Sequence, residues 1–192
     1  MRTTLAVILC VMAVVLSLGG CAPVLVAGTA TGVAVAADRR SAGTILDDQN
    51  IETHIAYTIN QDETIARQTH IVVTCYNHVV LLTGQSPDPA LTQKVIDEVR
   101  TVGNIKRIHN EIRTSTPTLL KTRSQDTWLT TQIKSRLLAD ERLSGLQVKV
   151  ITENSEVFLL GLVKHREADI AVQIAQETEG VSGVYKVFEY LD

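Results

Sequence analysis

Few side chains in this 192-residue chain have the type and spacing that chemistry requires. No HExxH motif occurs, and no two histidines stand at the i, i+4 spacing of a helical metal-binding pair; the five are His54, His70, His78, His109 and His165. Cys75 falls in an alternating apolar segment, where cysteine is typically a small buried hydrophobe rather than a nucleophile. Glycine-rich phosphate loops, GxSxG elbows and paired carboxylates are also missing from the sequence. The sequence therefore predicts no catalytic site, no metal and no cofactor.

Cys21 is the residue to which covalent chemistry is assigned. One positive charge at Arg2 precedes the apolar run of residues 5–18, a pattern typical of signal peptides and too short for a comfortable membrane span. The run ends in Leu18-Gly19-Gly20-Cys21, which resembles the lipobox of bacterial lipoproteins. The alternative is an ordinary secretory signal in which Cys21 has no role. We predict a lipoprotein signal peptide over residues 1–20 and lipidation of Cys21.

Resemblance to lipoproteins implies where the mature chain is anchored. Three acyl chains on Cys21 satisfy the rule that stable anchoring needs more than one chain. Ala22 rather than Asp follows the cysteine, which in Gram-negative lipoproteins implies the inner leaflet of the outer membrane, facing the periplasm. Residues 21–45 are expected to form the lipidated tether. Within it, Arg39 and Arg40 are expected to be solvated or to touch anionic headgroups.

Charge and composition exclude another class of protein. The chain carries 18 Lys and Arg against 21 Asp and Glu, a net charge of −3, whereas a general nucleic-acid binder shows a basic excess. Loss of Arg2 with the signal peptide makes the mature chain one unit more negative. Aromatic residues are only 4% of the chain, too few for base-stacking platforms. We therefore expect no nucleic-acid partner.

One pattern occurs twice after residue 45. The pattern covers residues 70–84 and residues 147–161. Each copy begins with a segment of alternating apolar residues, continues through a polar turn, and ends with a second apolar run that finishes in glycine. This order predicts a β-hairpin in each copy. Gly84 and Gly161 lie 77 residues apart, and each is expected to close its strand. At Gly161 we expect either close approach of another backbone or an unusual φ.

Helical patterns flank each predicted hairpin. Apolar residues recur at i, i+4 and i+8 before both hairpins: Ile51, Ile55 and Ile59, then Leu129, Ile133 and Leu137. The candidate helix caps are Asp47 or Asp48 in the first copy and Ser124 or Asp126 in the second. A second helix and a short strand complete each copy. We predict an α+β fold of two tandem αββαβ domains, each a three-stranded mixed sheet with two helices packed on one face. Domain 1 is residues 46–114, the linker residues 115–123, and domain 2 residues 124–192.

The duplicated unit resembles the BON domain of bacterial envelope proteins. The segment Glu179-Gly180-Val181-x-x-Val184-x-x-Val187 is similar to the ending of that family, whereas the first copy departs from it with Thr101-Val102-Gly103. Together with the lipobox and Asp38-Arg39-Arg40-Ser41-x-Gly43-Thr44, it resembles the dual-BON outer-membrane lipoproteins of the division- and outer-membrane-stress-associated lipid-binding type. The resemblance implies a non-enzymatic periplasmic protein that binds anionic phospholipid, supports the outer-membrane barrier and gathers at the division site.

The predicted lipid surface lies on the helix before the second hairpin. Residues 117–149 contain six basic and three acidic residues, whereas residues 47–113 contain six basic and nine acidic ones. Trp128, the only tryptophan, is rotated about 100° from Leu129 of the core stripe. Tryptophan favours the headgroup zone, and basic side chains attract anionic lipid such as phosphatidylglycerol or cardiolipin. The candidate lipid-binding residues are Lys121, Arg123, Trp128, Lys134 and Arg136.

Other functions stay open at this point. Trp128 could instead cover the rim of a small core, as tryptophan commonly does. The protein could be an envelope scaffold in which domain 1 docks a protein partner, or it could bind peptidoglycan, although the scarcity of aromatic residues weakens the last possibility.

Overall fold

The computed structural model describes residues 38–192, so the predicted signal peptide, Cys21 and the tether up to residue 37 lie outside the described residues. Domain 1 consists of α1 (Ala42–Gln61), α2 (Glu63–Gln68), β1 (His70–Tyr76), β2 (Val79–Ser86), α3 (Pro89–Arg100) and β3 (Arg107–Thr114). Domain 2 consists of α4 (Leu120–Ala139), a 3₁₀ turn (Gly145–Gln147), β4 (Lys149–Glu153), β5 (Glu156–Val163), α5 (His165–Gln176) and β6 (Gly183–Tyr190). The predicted α+β class and the duplicated αββαβ order are confirmed, and the short helix α2 is an addition to that order.

Each domain contains one three-stranded mixed sheet. The central strands β2 and β5 pair antiparallel with the strand before them and parallel with the strand that follows the crossover helix. The hairpins turn through two residues with positive φ, as type I′ turns require. These are Asn77 and His78 (φ 51° and 65°) and Asn154 and Ser155 (φ 50° and 65°).

The central strands are buried on both faces. Val80 and Leu82 contact the helices of domain 1, whereas Leu81 points to the opposite face. In domain 2, Leu159 contacts the helices and Phe158 points away from them. These outward residues form one shared cluster, Tyr76, Val79, Leu81, Phe158, Leu160 and Val187. The two sheets therefore pack face to face, which explains why β2 and β5 are continuous apolar runs rather than alternating ones.

The predicted cap of the first helix is wrong. Ser41 caps α1, because its Oγ accepts the Thr44 N–H at 3.0 Å. Asp47 is exposed, and Asp48 is buried within the helix. The Asp48 carboxylate accepts the backbone N–H groups of Asn77 and His78 at 2.7 and 2.8 Å. Asp48 therefore joins the helix to the hairpin turn instead of beginning the helix.

The same correction applies to domain 2. Asp126 is buried inside α4 and accepts the N–H groups of Asn154 and Ser155 at 2.9 and 2.8 Å. Ser124 also lies inside the helix, where its hydroxyl donates to the Leu120 carbonyl. A type I′ turn leaves two N–H groups that need an acceptor, and a helix carboxylate supplies it. The helix-to-turn contact is therefore a repeated feature of the fold.

Both long helices begin earlier than the predicted boundaries. Helix α1 begins at Ala42, inside the predicted tether, and α4 begins at Leu120, inside the predicted linker. The connection that remains is residues 115–119. Its Thr118 N–H and hydroxyl both donate to the Gln85 side-chain oxygen, at 3.1 and 3.2 Å. The linker is thus short and held by domain 1, which its Thr-rich composition does not indicate.

Gly84 and Gly161 lie inside their strands and do not close them. Strands β2 and β5 each continue two residues beyond Gly84 and Gly161. A Cβ on Gly84, whose φ is +114°, would lie 1.9 Å from the carbonyl oxygen of His70. A Cβ on Gly161 would lie 2.4 Å from the carbonyl oxygen of Gln147. Close approach of the preceding segment excludes a side chain at both positions.

The first described residues cross the junction of the two domains. Both guanidinium nitrogens of Arg39 lie 2.7 Å from the Glu167 carboxylate of domain 2, and Nη1 also donates to the Leu162 carbonyl at 2.8 Å. Arg40 pairs with Asp48 of domain 1 at 2.8 Å and stacks 3.8 Å above the Tyr76 ring. The expectation of solvated side chains is wrong for Arg40, which is largely buried against domain 1. Arg39 remains exposed, but it forms an ion pair with domain 2 instead of being free.

Candidate functional site

Helix α4 exposes large apolar side chains opposite its core stripe. Leu129, Ile133 and Leu137 of that stripe are buried against domain 2. At about 100° per residue, Trp128, Leu120 and Leu138 point about 140° away from the centre of the stripe. These three side chains are 59%, 79% and 60% exposed. The outer face of α4, as we call this side of the helix, is therefore apolar as well as solvent-facing.

The hydroxyl groups on the outer face are already satisfied by the helix itself. Each of four exposed side chains donates to the carbonyl four residues earlier at 2.9–3.0 Å: Ser124, Thr127, Thr131 and Ser135. A hydroxyl with an internal partner costs less to remove from water than a free one. This face can therefore enter a less polar environment at a reduced desolvation cost.

Two lysines border the outer face. Lys121 and Lys134 are exposed on opposite flanks, and neither has a hydrogen bond or ion pair among residues 38–192. The single carboxylate of α4 belongs to Asp126, which is buried, against four basic residues on the helix. The equivalent helix α1 has three acidic residues and no Lys or Arg. The two copies of this helix therefore carry opposite charge.

The two predicted arginines do not belong to the outer face. Arg136 donates to the Ile174 carbonyl at 3.0 Å and to the Thr178 hydroxyl at 2.7 Å, and it pairs with Glu177 at 3.4 Å. It therefore anchors the end of α5 against α4. Arg123 is half-buried on the flank of α4, beside a cleft. Of the five predicted lipid-binding residues, the structure places Lys121, Trp128 and Lys134 at one surface.

A cleft of about 490 Å³ opens beside the outer face, where α4 and β4 meet β1 of domain 1. Arg123, Lys134 and three threonines of α4 line one wall, and His70, Val72 and Glu153 line the other. His70 has no signal in the sequence as a site residue, because it reaches the cleft only through the packing of the two domains.

The carboxylates of the cleft are occupied. Glu153 accepts from the Gln85 amide at 2.8 Å, and its second oxygen lies 3.7 Å from His70 Nε2. Burial opposes ionisation of Glu153, but contacts with His70 and Gln85 outweigh it and lower its pKa. Both oxygens of Asp126 accept from the β4–β5 turn. Among the described residues, Lys134 is the one charged side chain of the cleft without a hydrogen bond or ion pair.

Cys75 lies away from this surface, in the core of domain 1. Its thiol donates to Asp48 at 3.3 Å, and burial together with the nearby Asp48 raises its pKa. A thiol of this kind stays protonated and is a poor nucleophile. Among the described residues, no three His, Cys, Asp or Glu side chains form a group that could hold a metal. Within residues 38–192, no helix combines the length and apolarity needed to cross a membrane.

The structure therefore defines a class of protein with two αββαβ units packed sheet to sheet. One of the two units has a cationic and apolar helix face. The BON domain family matches residues 47–116 and 125–192, and the chain belongs to this family. It is 37% identical over 91% of its length, and 91% of the relative's, to the outer membrane lipoprotein DolP of Haemophilus influenzae. It is 40% identical to the 21 kDa hemolysin of Actinobacillus pleuropneumoniae (80% and 79% of the two chains), and 27% identical to the osmotically-inducible protein Y of Escherichia coli (80% and 77%).

These relationships set the general identity of the protein. It is a DolP-like outer-membrane lipoprotein with two BON domains and an envelope function. The DolP-type relatives are not known enzymes.

Proposed function

We propose that the protein binds anionic phospholipid, such as phosphatidylglycerol or cardiolipin, through the outer face of α4. Binding is peripheral and takes place on the periplasmic side of the outer membrane, where acylated Cys21 supplies the anchor. In this role the protein supports outer-membrane integrity and acts at the division site. The observation that carries the proposal is Trp128, exposed with Leu120 and Leu138 between two unpaired lysines.

The expected affinity is modest and depends on charge. Each lysine near an anionic membrane contributes about 1 kcal/mol, so Lys121 and Lys134 together favour an anionic surface by about 2 kcal/mol, or roughly 30-fold. The Trp128 ring adds a contribution that does not depend on lipid charge. Anchoring through Cys21 keeps the helix close to lipid, which makes weak binding effective by raising the local concentration.

The test is co-sedimentation of the mature chain, residues 21–192 with Cys21→Ser, with phosphatidylglycerol vesicles. Trp128→Glu should weaken binding at least 10-fold, because it places a carboxylate at headgroup depth. Tyr57→Glu is the matched control, since Tyr57 is an aromatic residue 65% exposed on α1, and it should leave binding unchanged. Circular dichroism checks the fold of each variant. Wild-type binding by folded Trp128→Glu protein would exclude the outer face of α4 as the lipid surface.

Domain 1 supports one alternative function. The outer side of α1 exposes Leu46 and Tyr57 beside the exposed carboxylate of Asp47, which suits docking of a protein partner in the envelope. If wild-type protein ignores anionic vesicles while Tyr57→Glu removes a partner captured by the wild type, the scaffold replaces lipid binding. Retention on purified sacculi would instead favour peptidoglycan.

A further inference from the structure

Because the two domains are repeats, each residue lining the cleft beside α4 has a counterpart in domain 1. The cleft can therefore be compared with the equivalent position of domain 1. Helix residues correspond at a separation of 78, as Asp48 and Asp126 do, and hairpin residues at 77, as Gly84 and Gly161 do. At these separations Glu52 of α1 corresponds to Thr130 of α4. Lys149 of β4 corresponds to Val72 of β1.

In domain 1 this position is filled by an ion pair. Lys149 reaches across from domain 2, and its Nζ lies 2.7 Å from Glu52 Oε1. The same carboxylate oxygen accepts the Cys75 N–H at 2.6 Å, and Lys149 also donates to the Cys75 carbonyl at 3.4 Å. The long side chains of Lys149 and Glu52 thus fill the space between α1, β1 and β4.

In domain 2 the corresponding side chains are too short to meet. Val72 replaces the lysine and Thr130 replaces the glutamate, and Thr130 bonds to the neighbouring Thr152 at 2.8 Å. The space between them is the cleft of about 490 Å³, which is within the range of small-molecule sites.

The open cleft also carries charge that its counterpart lacks. Arg123 and Lys134 line it, whereas the corresponding residues of α1 are Ile45 and Ala56. Lys134 has no partner among residues 38–192, whereas Arg123 makes a 3.5 Å contact with Thr118 and its charge helps to lower the pKa of Glu153. Protein donors already occupy oxygens of Glu153 and Asp126, so the groups left to bind a ligand are the N–H donors of Lys134 and Arg123, which favour an anion.

We propose that this cleft binds the phosphodiester of one anionic phospholipid headgroup, held by Arg123 and Lys134, with His70 of domain 1 lining the opposite wall. The proposal rests on the proposed function, because Lys134 lies about 40° from Leu138 around α4. A lipid whose chains lie beside Leu138 and Trp128 can therefore place its phosphate in the cleft. The site needs both domains, so an isolated domain 2 has an incomplete wall.

The decisive variant fills the cleft with an ion pair, as the Lys149–Glu52 pair fills the equivalent position of domain 1. Val72→Lys with Thr130→Glu introduces the counterpart of the Lys149–Glu52 pair and leaves the net charge unchanged. We expect this variant to lose at least 10-fold in affinity for phosphatidylglycerol vesicles. The matched control, Lys149→Val with Glu52→Thr, empties the position in domain 1, which lacks the two cations. It should bind lipid as the wild type does.

A second comparison does not depend on the double variant folding. Arg123→Gln and Lys186→Gln each remove one positive charge from domain 2, but only Arg123 lines the cleft, whereas Lys186 is an exposed residue of β6. Glycerophosphoglycerol, titrated into the mature Cys21→Ser chain, should shift the amide NMR signals of Thr127, Thr130 and His70. Arg123→Gln should abolish these shifts and Lys186→Gln should retain them. Inorganic phosphate, titrated in parallel, should produce shifts at least 10-fold weaker.

The results separate this proposal from the lipid surface itself. The two cleft variants are Val72→Lys with Thr130→Glu, and Arg123→Gln. If both bind phosphatidylglycerol vesicles and glycerophosphoglycerol like the wild type while Trp128→Glu fails to bind vesicles, the headgroup site is refuted. The outer face of α4 then remains the lipid surface. If inorganic phosphate binds as well as glycerophosphoglycerol and filling the cleft leaves vesicle binding unchanged, the site takes free phosphate and the lipid assignment is overturned.

Discussion

Replacement of Asp48 by alanine removes the contact that joins helix α1 to the β1–β2 turn. The Asp48 side chain is 3% exposed and accepts from the N–H groups of Asn77 and His78. It also pairs with Arg40, whose side chain is 12% exposed. Burial opposes ionisation of Asp48, but these hydrogen bonds outweigh it and lower its pKa. Asp48 is therefore a buried carboxylate that several partners depend on.

The expected loss is large for a single substitution. Removing one partner of a buried ion pair typically costs about 3–5 kcal/mol, because the other charge and its neighbours are left unsatisfied. For a chain of this size, 1 kcal/mol corresponds to roughly 2–4 °C in the unfolding midpoint. Asp48→Ala should therefore lower the midpoint by roughly 6–20 °C. Asp48→Asn keeps an acceptor for the turn and should have an intermediate effect.

Thermal and urea unfolding, followed by circular dichroism, measure this difference. Asp47→Ala is the control, since Asp47 precedes Asp48 on the same helix and is exposed. An exposed substitution of this kind should change the unfolding free energy by no more than about 0.5 kcal/mol. Equal effects of the two substitutions would refute the role assigned to Asp48.

Two further predictions concern packing and pH. Gly161→Ala should cost about 1–3 kcal/mol, because its Cβ would lie 2.4 Å from the Gln147 carbonyl oxygen, whereas Gly103→Ala meets nothing within 4 Å; equal urea midpoints for the two variants would contradict this packing. The lowered pKa of Glu153 means that its stabilising effect is present above the ordinary glutamate value of 4.5 and is lost as the pH falls below that value through the folded-state pKa. The urea midpoint should therefore fall more steeply below pH 4.5 in the wild type than in Glu153→Gln, and parallel pH profiles would show that Glu153 contributes nothing there.

Local patterns predict much of each domain because they report local causes. The i, i+4, i+8 stripe of α4 specifies which side is buried, and the same geometry places Trp128 in solvent. The alternating segments and polar turns specify the hairpins. The helix caps are predicted wrongly because an aspartate near the start of a helix can either cap that helix or bind a distant turn, and the two roles look alike in sequence. Asp48 and Asp126 serve the distant hairpin turn, and a partner about 28 residues away leaves no local signal.

The contacts between the domains are the part that sequence patterns do not reach. Continuous apolar runs in β2 and β5 indicate burial on both faces, but they do not say what covers the second face. For this reason His70 is absent from the predicted site, and Arg39 is expected in solvent although it binds Glu167. Arg136 is predicted to be available for lipid, but its guanidinium donates to Ile174 and Thr178 at the end of α5. Net charge along the sequence does not distinguish a free cation from one with protein partners.

Duplication explains how an ion pair at one position of the domain junction can correspond to an open cleft at the equivalent position. The two copies share a helix carboxylate, a type I′ turn and a close-approach glycine, so their backbones present equivalent positions at the junction. The side chains at these equivalent positions differ, and they determine whether each position is filled or open. Lys149 and Glu52 close one position with an ion pair between the domains, while Val72 and Thr130 leave the other open beside Arg123. Exchange of these two pairs changes volume but not net charge, so any difference in lipid binding between the exchanged variants reports the cleft itself rather than the overall field of the protein.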